Sequence, residues 1–351
     1  AHREAGVSIE DVDTGAIILT GEAMRRDNAR AIAHLFAEQR GSFVCATAGH
    51  NFEAVLAAHG SGTVAISQER DLRLLNIDIG GGTTKLAAVG NGRILGTAAF
   101  HIGGRLMVRD PSGVISILEP GGAALAHQAG FKWQVGDRVF DEDVDRLTDY
   151  LARAIIAIVS EARLPAALEG LFLTSHNLPE TYDGVIFSGG VGEYVYGKES
   201  EDFGDLGASL GRALRNYTVN GTMPWPVLPA RECIRATVMG ASQYTVQVSG
   251  NTIYRSSEGL LPRRNLQALR PPCDLSGHIE AEAIARSIRE HFTTFDLNEG
   301  ESDVALVFSW HGPPTALRLA GFCNGLIKGL PNTIKKGIPF TWSLTATWEG
   351  W

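Results

Sequence analysis

The residues of this chain that could do chemistry are concentrated in one short run, Leu75–Leu86, LNIDIGGGTTKL. It sets a carboxylate, Asp78, just before Gly80, Gly81 and Gly82 and the hydroxyl residues Thr83 and Thr84. Because glycine has no Cβ, such a turn can bring backbone N–H groups against a polyphosphate. Asp78 would then hold the waters of a phosphate-bound Mg²⁺, an ion that keeps most of its hydration shell and takes one or two carboxylates. The hydroxyls of Thr83 and Thr84 would add donors to the terminal phosphate. The plainer alternative is a glycine-rich hairpin whose aspartate only satisfies backbone groups.

The elements that must position these residues follow from the pattern around them. Ile77 and Ile79 alternate with Asn76 and Asp78. After the glycines come Lys85–Val89, a Gly90-Asn91-Gly92 turn and Arg93–Phe100, which predicts a β-meander with a glycine-rich first turn. No G-x-x-x-x-G-K-[ST] loop exists, and a G-x-G-x-x-G turn needs a helix where this chain has a second strand. Upstream, Gly15–Thr20 and Ser42–Thr47 read as strands flanking a helix over Ala23–Gln39 that ends at Gly41. Asn51–His59 reads as an alanine-rich helix with Asn51 as N-cap, Gly60 as stop and Glu53 in its first turn.

Downstream, Asp141–Ala162 is the clearest helix, with Val144, Leu147, Leu151, Ile155 and Ile158 at steps of three or four and four carboxylates at its N-terminal end. Val185–Ser188 reads as a strand running into Gly189-Gly190-Val191-Gly192, and an apolar stretch, Ile234–Val248, leads to Asn251–Tyr254. After Gly250 the character changes. Pro262, Pro271 and Pro272 mark a linker, Ser276 caps a helix bearing Ile284, Ile288 and Phe292, and Val304–Trp310 is a strand, so a separate C-terminal α/β unit is expected.

At 351 residues the chain has room for two or three domains. Thirty-one Lys and Arg against 39 Asp and Glu leave a net charge of −8 with no basic block, which argues against nucleic acid as a partner. The longest apolar stretch, Leu151–Val159, is broken by Arg153 and falls far short of the roughly 20 residues that span a bilayer. With no signal-like opening, a cytoplasmic protein without membrane attachment is expected. Cys45, Cys233, Cys273 and Cys323 form no CxxC pair and read as buried reduced thiols. Glycine is the outlier at 41 residues, where a typical ~7 per cent would give about 25.

The hairpin around Asp78 resembles the phosphate-binding hairpin of the actin-like ATPase superfamily of actin, Hsp70 and sugar kinases. Two further stretches agree in the expected order. Phe52–Ala57, FEAVLA, is similar to the connecting helix whose acidic residue faces the metal-bound and attacking waters. Val185–Glu193, VIFSGGVGE, is similar to the adenosine-binding strand and turn. In more detail, TGEAMRRDNAR, CATAGHNFEAVLAAHGSGTVAIS, LNIDIGGGTTKLAAV, HIGGRL, IFSGGVGEY and IRATVMGASQYTVQVSGNTIY together resemble the reactivating factors of ethanolamine ammonia-lyase, from about Asp13 to Tyr254.

That resemblance implies an α/β, actin-like ATPase (ribonuclease H-like) fold with an additional C-terminal α/β unit. Residues 1–73 would belong to a first lobe, 74–255 to a second, and 256–351 to the C-terminal unit. It implies ATP and Mg²⁺ as cofactors, Glu53 and Asp78 as catalytic residues and Asp78 as the metal ligand. Nucleotide would be bound by Gly80, Gly81, Gly82, Thr83, Thr84, Ser188, Gly189, Gly190 and Gly192. The implied activity is ATP-dependent, chaperone-like release of damaged cobalamin from ethanolamine ammonia-lyase, in the cytoplasm or with a bacterial microcompartment.

Two rivals share the superfamily, an actin-like filament protein similar to FtsA and a metabolite kinase. The terminal FTWSLTATWEGW lacks the basic amphipathic pattern of the first, and no catalytic base for the second is evident.

The chain departs from the superfamily pattern in three ways. Nothing before Asp13 supplies the other phosphate hairpin, so truncation at the start and weak or absent ATP hydrolysis are expected. The chain also stops at Trp351, inside the C-terminal unit. Lys85 stands where Hsp70-like members carry an acidic residue; it is read as pointing to solvent from its strand, with phosphate contact as the alternative.

Three other patterns are set aside. Asp13-Thr14-Gly15-Ala16 is a single copy of a protease turn that needs two. Gly207–Gly211, GASLG, lacks the apolar strand a nucleophile elbow requires and reads as a turn and helix. The ten histidines show no metal-binding spacing.

Overall fold

The computed structural model describes residues 15–20, 43–160, 166–175, 178–243 and 266–347. Asp13 and Thr14, the helix expected over Ala23–Gln39, the segment Asn251–Tyr254 and Pro262 lie outside the described residues. The chain divides into two compact units, one spanning His50–Gln243 and the other joining Ala1–Gly49 to Tyr244–Trp351.

In the second of these, β1 (Gly15–Thr20) and β2 (Phe43–Ala48) pair in parallel, Gly15 opposite Phe43 through Thr20 opposite Ala48.

The His50–Gln243 unit begins with α1 (His50–Gly60) and α2 (Thr63–Arg70), followed by the meander β3 (Arg73–Ile79), β4 (Thr84–Gly90) and β5 (Arg93–Phe100). After a small antiparallel pair, β6 (Met107–Arg109) and β7 (Ile115–Leu118), come α3 (Pro120–Gln128), α4 (Asp141–Ser160) and the short α5 (Ala166–Glu169). Then follow β8 (Gly184–Ser188), α6 (Gly189–Val195), α7 (Gly207–Val219) and α8 (Ala236–Gln243). The sheet order is β5-β4-β3-β8, with β3 antiparallel to β4 and parallel to β8. Three antiparallel strands with a fourth laid parallel beside the first is the order of a ribonuclease H-like core. The actin-like expectation therefore holds for this unit at the level of topology.

Each face of that sheet is covered for a reason visible in composition. The amphipathic α4 buries Val144, Leu147, Leu151, Ile155 and Val159 against a core shared with Leu75, Ile77, Ile79, Leu86 and Phe187. Its first turn holds Asp141, Glu142 and Asp143, which favour the positive end of the helix dipole. The other face takes α1, buried almost all round from Phe52 to Ala58, as a helix wedged between a sheet and another helix must be. α1 crosses α8 closely: a Cβ at Gly60 would collide with the Ala236 carbonyl, and one at Gly240 with that of Leu56. Gly60 thus ends the helix and also serves the crossing. Asn51 is not the N-cap expected; the helix starts at His50, and Asn51 accepts a bond from Thr97 Oγ1 at 2.8 Å.

Residues 266–347 carry α/β elements, but the compact unit they belong to joins Tyr244–Trp351 to Ala1–Gly49 and does not stand alone from residue 256, and His50–Gln243 spans the boundary expected at residue 73. β9 (Gln267–Leu269), α9 (Ala281–Thr294), β10 (Val304–His311), α10 (Ala316–Gly329), α11 (Pro331–Lys335) and β11 (Thr341–Thr347) form a parallel sheet of order β11-β10-β9 with its helices. Pro271 and Pro272, read as linker, follow β9 after Arg270, and β9 pairs with β10. Ser276 does not cap α9. It donates to Asp274 in a local turn at 2.6 Å, and Glu280 occupies the cap position. Cys233 is buried, Cys273 is half-buried and Cys323 is exposed, which corrects the expectation of a buried thiol for Cys323.

Candidate functional site

The alternation of β3 decides what meets at the site. Leu75, Ile77 and Ile79 face α4, so Asn76 and Asp78 face the α1 side. In register, Asp78 lies opposite Lys85 on β4 and opposite Ser188 on β8. All of these polar residues are buried, with Asp78 3% and Lys85 5% exposed.

A chain of hydrogen bonds joins them. Ser61 Oγ and Thr63 Oγ1 donate to Asn76 Oδ1 at 2.8 and 3.0 Å. Asn76 Nδ2 donates to Ser188 Oγ at 3.1 Å, and Ser188 Oγ donates to Asp78 Oδ1 at 2.7 Å. Beside this relay, Lys85 Nζ donates to Glu53 Oε1 of α1 at 2.7 Å. Two carboxylates thus flank one ammonium. Burial pushes the Asp78 carboxyl above its ordinary range, while Lys85 and the Ser188 hydroxyl pull it back down.

The solvent-facing expectation for Lys85 is therefore corrected. Its alternate position puts it on the α1 face, and Glu53 supplies a counter-charge that makes burial tolerable there.

The glycine turn itself, Gly80–Thr83, closes with Gly80 N–H donating to Thr83 O at 3.0 Å. Its carbonyls are turned inward: Gly104 N–H donates to Gly80 O at 2.9 Å and Arg105 N–H to Gly81 O at 2.6 Å. The amides of Gly81, Gly82 and Thr83 have no backbone partner among the described residues, and Gly81 and Gly82 are exposed. A Cβ at Gly103 would strike the Gly81 carbonyl, which explains that glycine by packing. Gly82 has no such explanation. Its φ is not in the left-handed region, and a Cβ there would meet nothing within 4 Å. Amides without a backbone partner in an exposed turn, with open space beside Gly82, suit an incoming anion.

The other predicted residues fall as follows. Thr83 is half-buried at the turn, whereas Thr84 is buried and its hydroxyl donates to Ile102 O at 2.7 Å, anchoring the Gly103–Gly104 segment. Gly189, with φ 78°, packs against the Ile79 backbone so tightly that a Cβ would collide with it. Gly192 sits on Phe187, and Gly190 is half-buried with Ile234 Cδ1 4.0 Å from a Cβ position. The β8 end is braced by Tyr196, whose hydroxyl accepts from Phe187 N–H at 3.0 Å and donates to Leu228 O at 2.7 Å.

Ser61, Thr63 and Asn76 were not expected at the site. The period-two pairing of Asn76 with Asp78 was the signal that could have found the last of them. Gly207–Gly211 opens α7 rather than forming a nucleophile elbow.

The family described as ethanolamine utilisation protein EutA matches residues 1–344. The chain belongs to the EutA family. It is 34% identical over 288 residues to the ethanolamine ammonia-lyase reactivase EutA of Salmonella typhimurium (strain LT2), a match covering 78% of this chain and 58% of the relative. To the protein of the same name from Escherichia coli (strain K12) it is 35% identical over 277 residues, 77% of this chain and again 58% of the relative. The chain thus spans less than two thirds of the curated EutA relatives it matches. Among solved structures it resembles a Ppx/GppA family member from Aquifex aeolicus (TM-score 0.37, 13% identity, 69% of this chain and 76% of that one). It also resembles the ethanolamine utilization protein EutJ from Carboxydothermus hydrogenoformans (TM-score 0.32, 18% identity, 68% and 67%).

Among the described residues no helix is long and apolar enough to cross a membrane, and no cluster of three or more His, Cys, Asp or Glu could cage a metal.

Proposed function

We propose that this EutA protein is an ATP-dependent, chaperone-like reactivating factor that acts on ethanolamine ammonia-lyase. It would release damaged cobalamin so that intact cofactor can rebind, in the cytoplasm or with a bacterial microcompartment. The observation that carries the reading is membership of the EutA family, two relatives of which are named ethanolamine ammonia-lyase reactivase. The turn at Gly82 supports a nucleotide as the driver, because neither backbone strain nor packing accounts for a glycine there.

In this reading the amides of Gly81, Gly82 and Thr83 hold the phosphates, and the bonds that Gly80 O and Gly81 O accept from Gly104 and Arg105 hold the turn in place. Asp78, at the root of the turn, would hold a hydrated Mg²⁺, an ion that takes few protein ligands. Bound there, the ion supplies charge neutralisation of the phosphates. Ser188 orients Asp78 through its 2.7 Å bond, and Asn76 in turn fixes the Ser188 hydroxyl. Glu53 orients water, and the turn Gly189, Gly190 and Gly192 receives the adenosine end. Catalysis of this kind is positioning and electrostatics. Coupling requires that the lyase bind the two nucleotide states differently, since a ligand with equal affinity for both shifts nothing.

Replacing Asp78 by Ala in the full-length protein tests the assignment. Loss of both ATP hydrolysis and reactivation of cobalamin-inactivated lyase is expected, with the fold intact by circular dichroism. Unchanged activity in both assays would remove Asp78 from the site. Co-precipitation with inactivated lyase, with and without ATP and Mg²⁺, tests the partner directly.

A further inference from the structure

We infer that Lys85 is a built-in cation of the phosphate site, sharing the charge neutralisation that a divalent ion would otherwise supply alone, so that nucleotide is held with little dependence on Mg²⁺. This rests on the nucleotide reading above.

Three observations carry it. The first is position. Lys85 Nζ lies 2.7 Å from Glu53 Oε1 and 3.9 Å from where a Cβ on Gly80 would stand, while its backbone pairs with Asp78. The ammonium therefore sits at the root of the turn whose amides have no backbone partner among the described residues.

The second is charge. A polyphosphate seated on those amides would approach two carboxylates, Asp78 and Glu53. That approach is repulsive unless a cation is already among them, and Lys85 is that cation.

The third is the lack of a purely structural need. The sheet face beside Lys85 is covered by Ala54, Ala58, Val64, Ala87 and Val89, which pack as an apolar cluster. Apolar residues replacing a buried ion pair are often as stable or more so. Keeping three ionisable groups in such a place is explained by a ligand that needs the charge.

The test is a titration of the full-length protein with a fluorescent ADP analogue, mant-ADP, in excess EDTA and in excess Mg²⁺. The wild type is expected to lose less than about tenfold in affinity when Mg²⁺ is removed. Lys85→Met is expected to lose about tenfold or more in EDTA and to recover with Mg²⁺, because Glu53 and Asp78 are then open to the metal. Lys85→Arg, which keeps the charge, should retain binding in EDTA.

Collapse of wild-type binding in EDTA overturns the inference, and this arm decides the matter even if Lys85→Met folds poorly. The same Mg²⁺ dependence in wild type and Lys85→Met also overturns it, while leaving nucleotide binding itself intact. Absence of binding in both media, for all three proteins, takes down the nucleotide reading and this inference with it.

Discussion

β3 carries two faces that are equally enclosed but chemically opposite at the end that leads into the glycine turn, beyond Leu74. Toward α4 it presents Leu75, Ile77 and Ile79, each with no exposure, in a core of aliphatic and aromatic side chains. Toward α1 it presents Asn76 and Asp78, at 0% and 3%, and both are polar. Apolar burial on the first face needs no partners beyond packing. Polar burial on the second is tolerable only because donors and acceptors are matched along the row Ser61, Thr63, Asn76, Ser188 and Asp78, with Lys85 against Glu53. The contrast shows that burial alone does not distinguish scaffold from site. On the nucleotide reading proposed above, what distinguishes them is whether the enclosed groups would be missed by stability or by ligand binding.

The sharpest way to break the comparison is to truncate one residue on each face. Ile77→Ala should cost about 4 kcal/mol in urea unfolding, through lost transfer energy and an unfilled cavity. Nucleotide binding should follow only the folded fraction; a specific loss of affinity in the folded protein would show that the two faces are not separable.

Lys85→Met comes next, at about 3 kcal/mol, because it leaves Glu53 buried without its counter-charge. The double variant Glu53→Gln/Lys85→Met should recover at least half of that. If it is as unstable as the single variant, the ion pair is not the reason Lys85 is held.

The two glycine turns give a smaller contrast. Gly189→Ala should cost about 2 kcal/mol, since φ 78° is strained for alanine and its Cβ would collide with the Ile79 backbone. Gly82→Ala should change stability by less than about 0.5 kcal/mol, because its Cβ enters open space, yet it should weaken mant-ADP binding. Equal thermal shifts for the two variants would contradict the distinction.

The smallest effect is a pH dependence. Burial raises the Asp78 carboxyl above its ordinary 3.8. A carboxyl raised on folding contributes its full stability below the unfolded value, and that contribution is lost as pH climbs through the folded value. Asp78→Asn removes this loss, so the variant should gain on the parent from pH 3.8 upward, read as the difference in urea midpoint. A difference that shrinks with pH would mean that Lys85 and Ser188 outweigh burial.

Much of this was legible in the residues. The meander, the glycine turn and the C-terminal α/β elements follow from period-two alternation, glycine clustering and helical spacing, all of which act between near neighbours. Asp78 stood out as a candidate because a carboxylate before three glycines is an unusual local pattern. Thr84 was read as a phosphate donor, but its hydroxyl meets the Ile102 carbonyl, a partner 18 residues on. Asn51 looked like a cap until Thr97, 46 residues away, took its side chain. Side-chain hydrogen bonds of this range depend on which strands become neighbours.

The sequence by itself determined the local geometry of this EutA protein: a strand ending in Asp78, a turn free of Cβ atoms, and helices with one apolar face. These depend on backbone freedom and residue spacing, which travel with the chain. Only the tertiary structure decided the partners: Lys85 with Glu53, 32 residues apart, Ser188 with Asp78 at 110, and Asn76 with Ser188 at 112. A long side chain on a strand can reach water, ligand or a buried carboxylate with equal ease. Which of them it meets is settled when β8 pairs with β3 and α1 covers the sheet and removes the water.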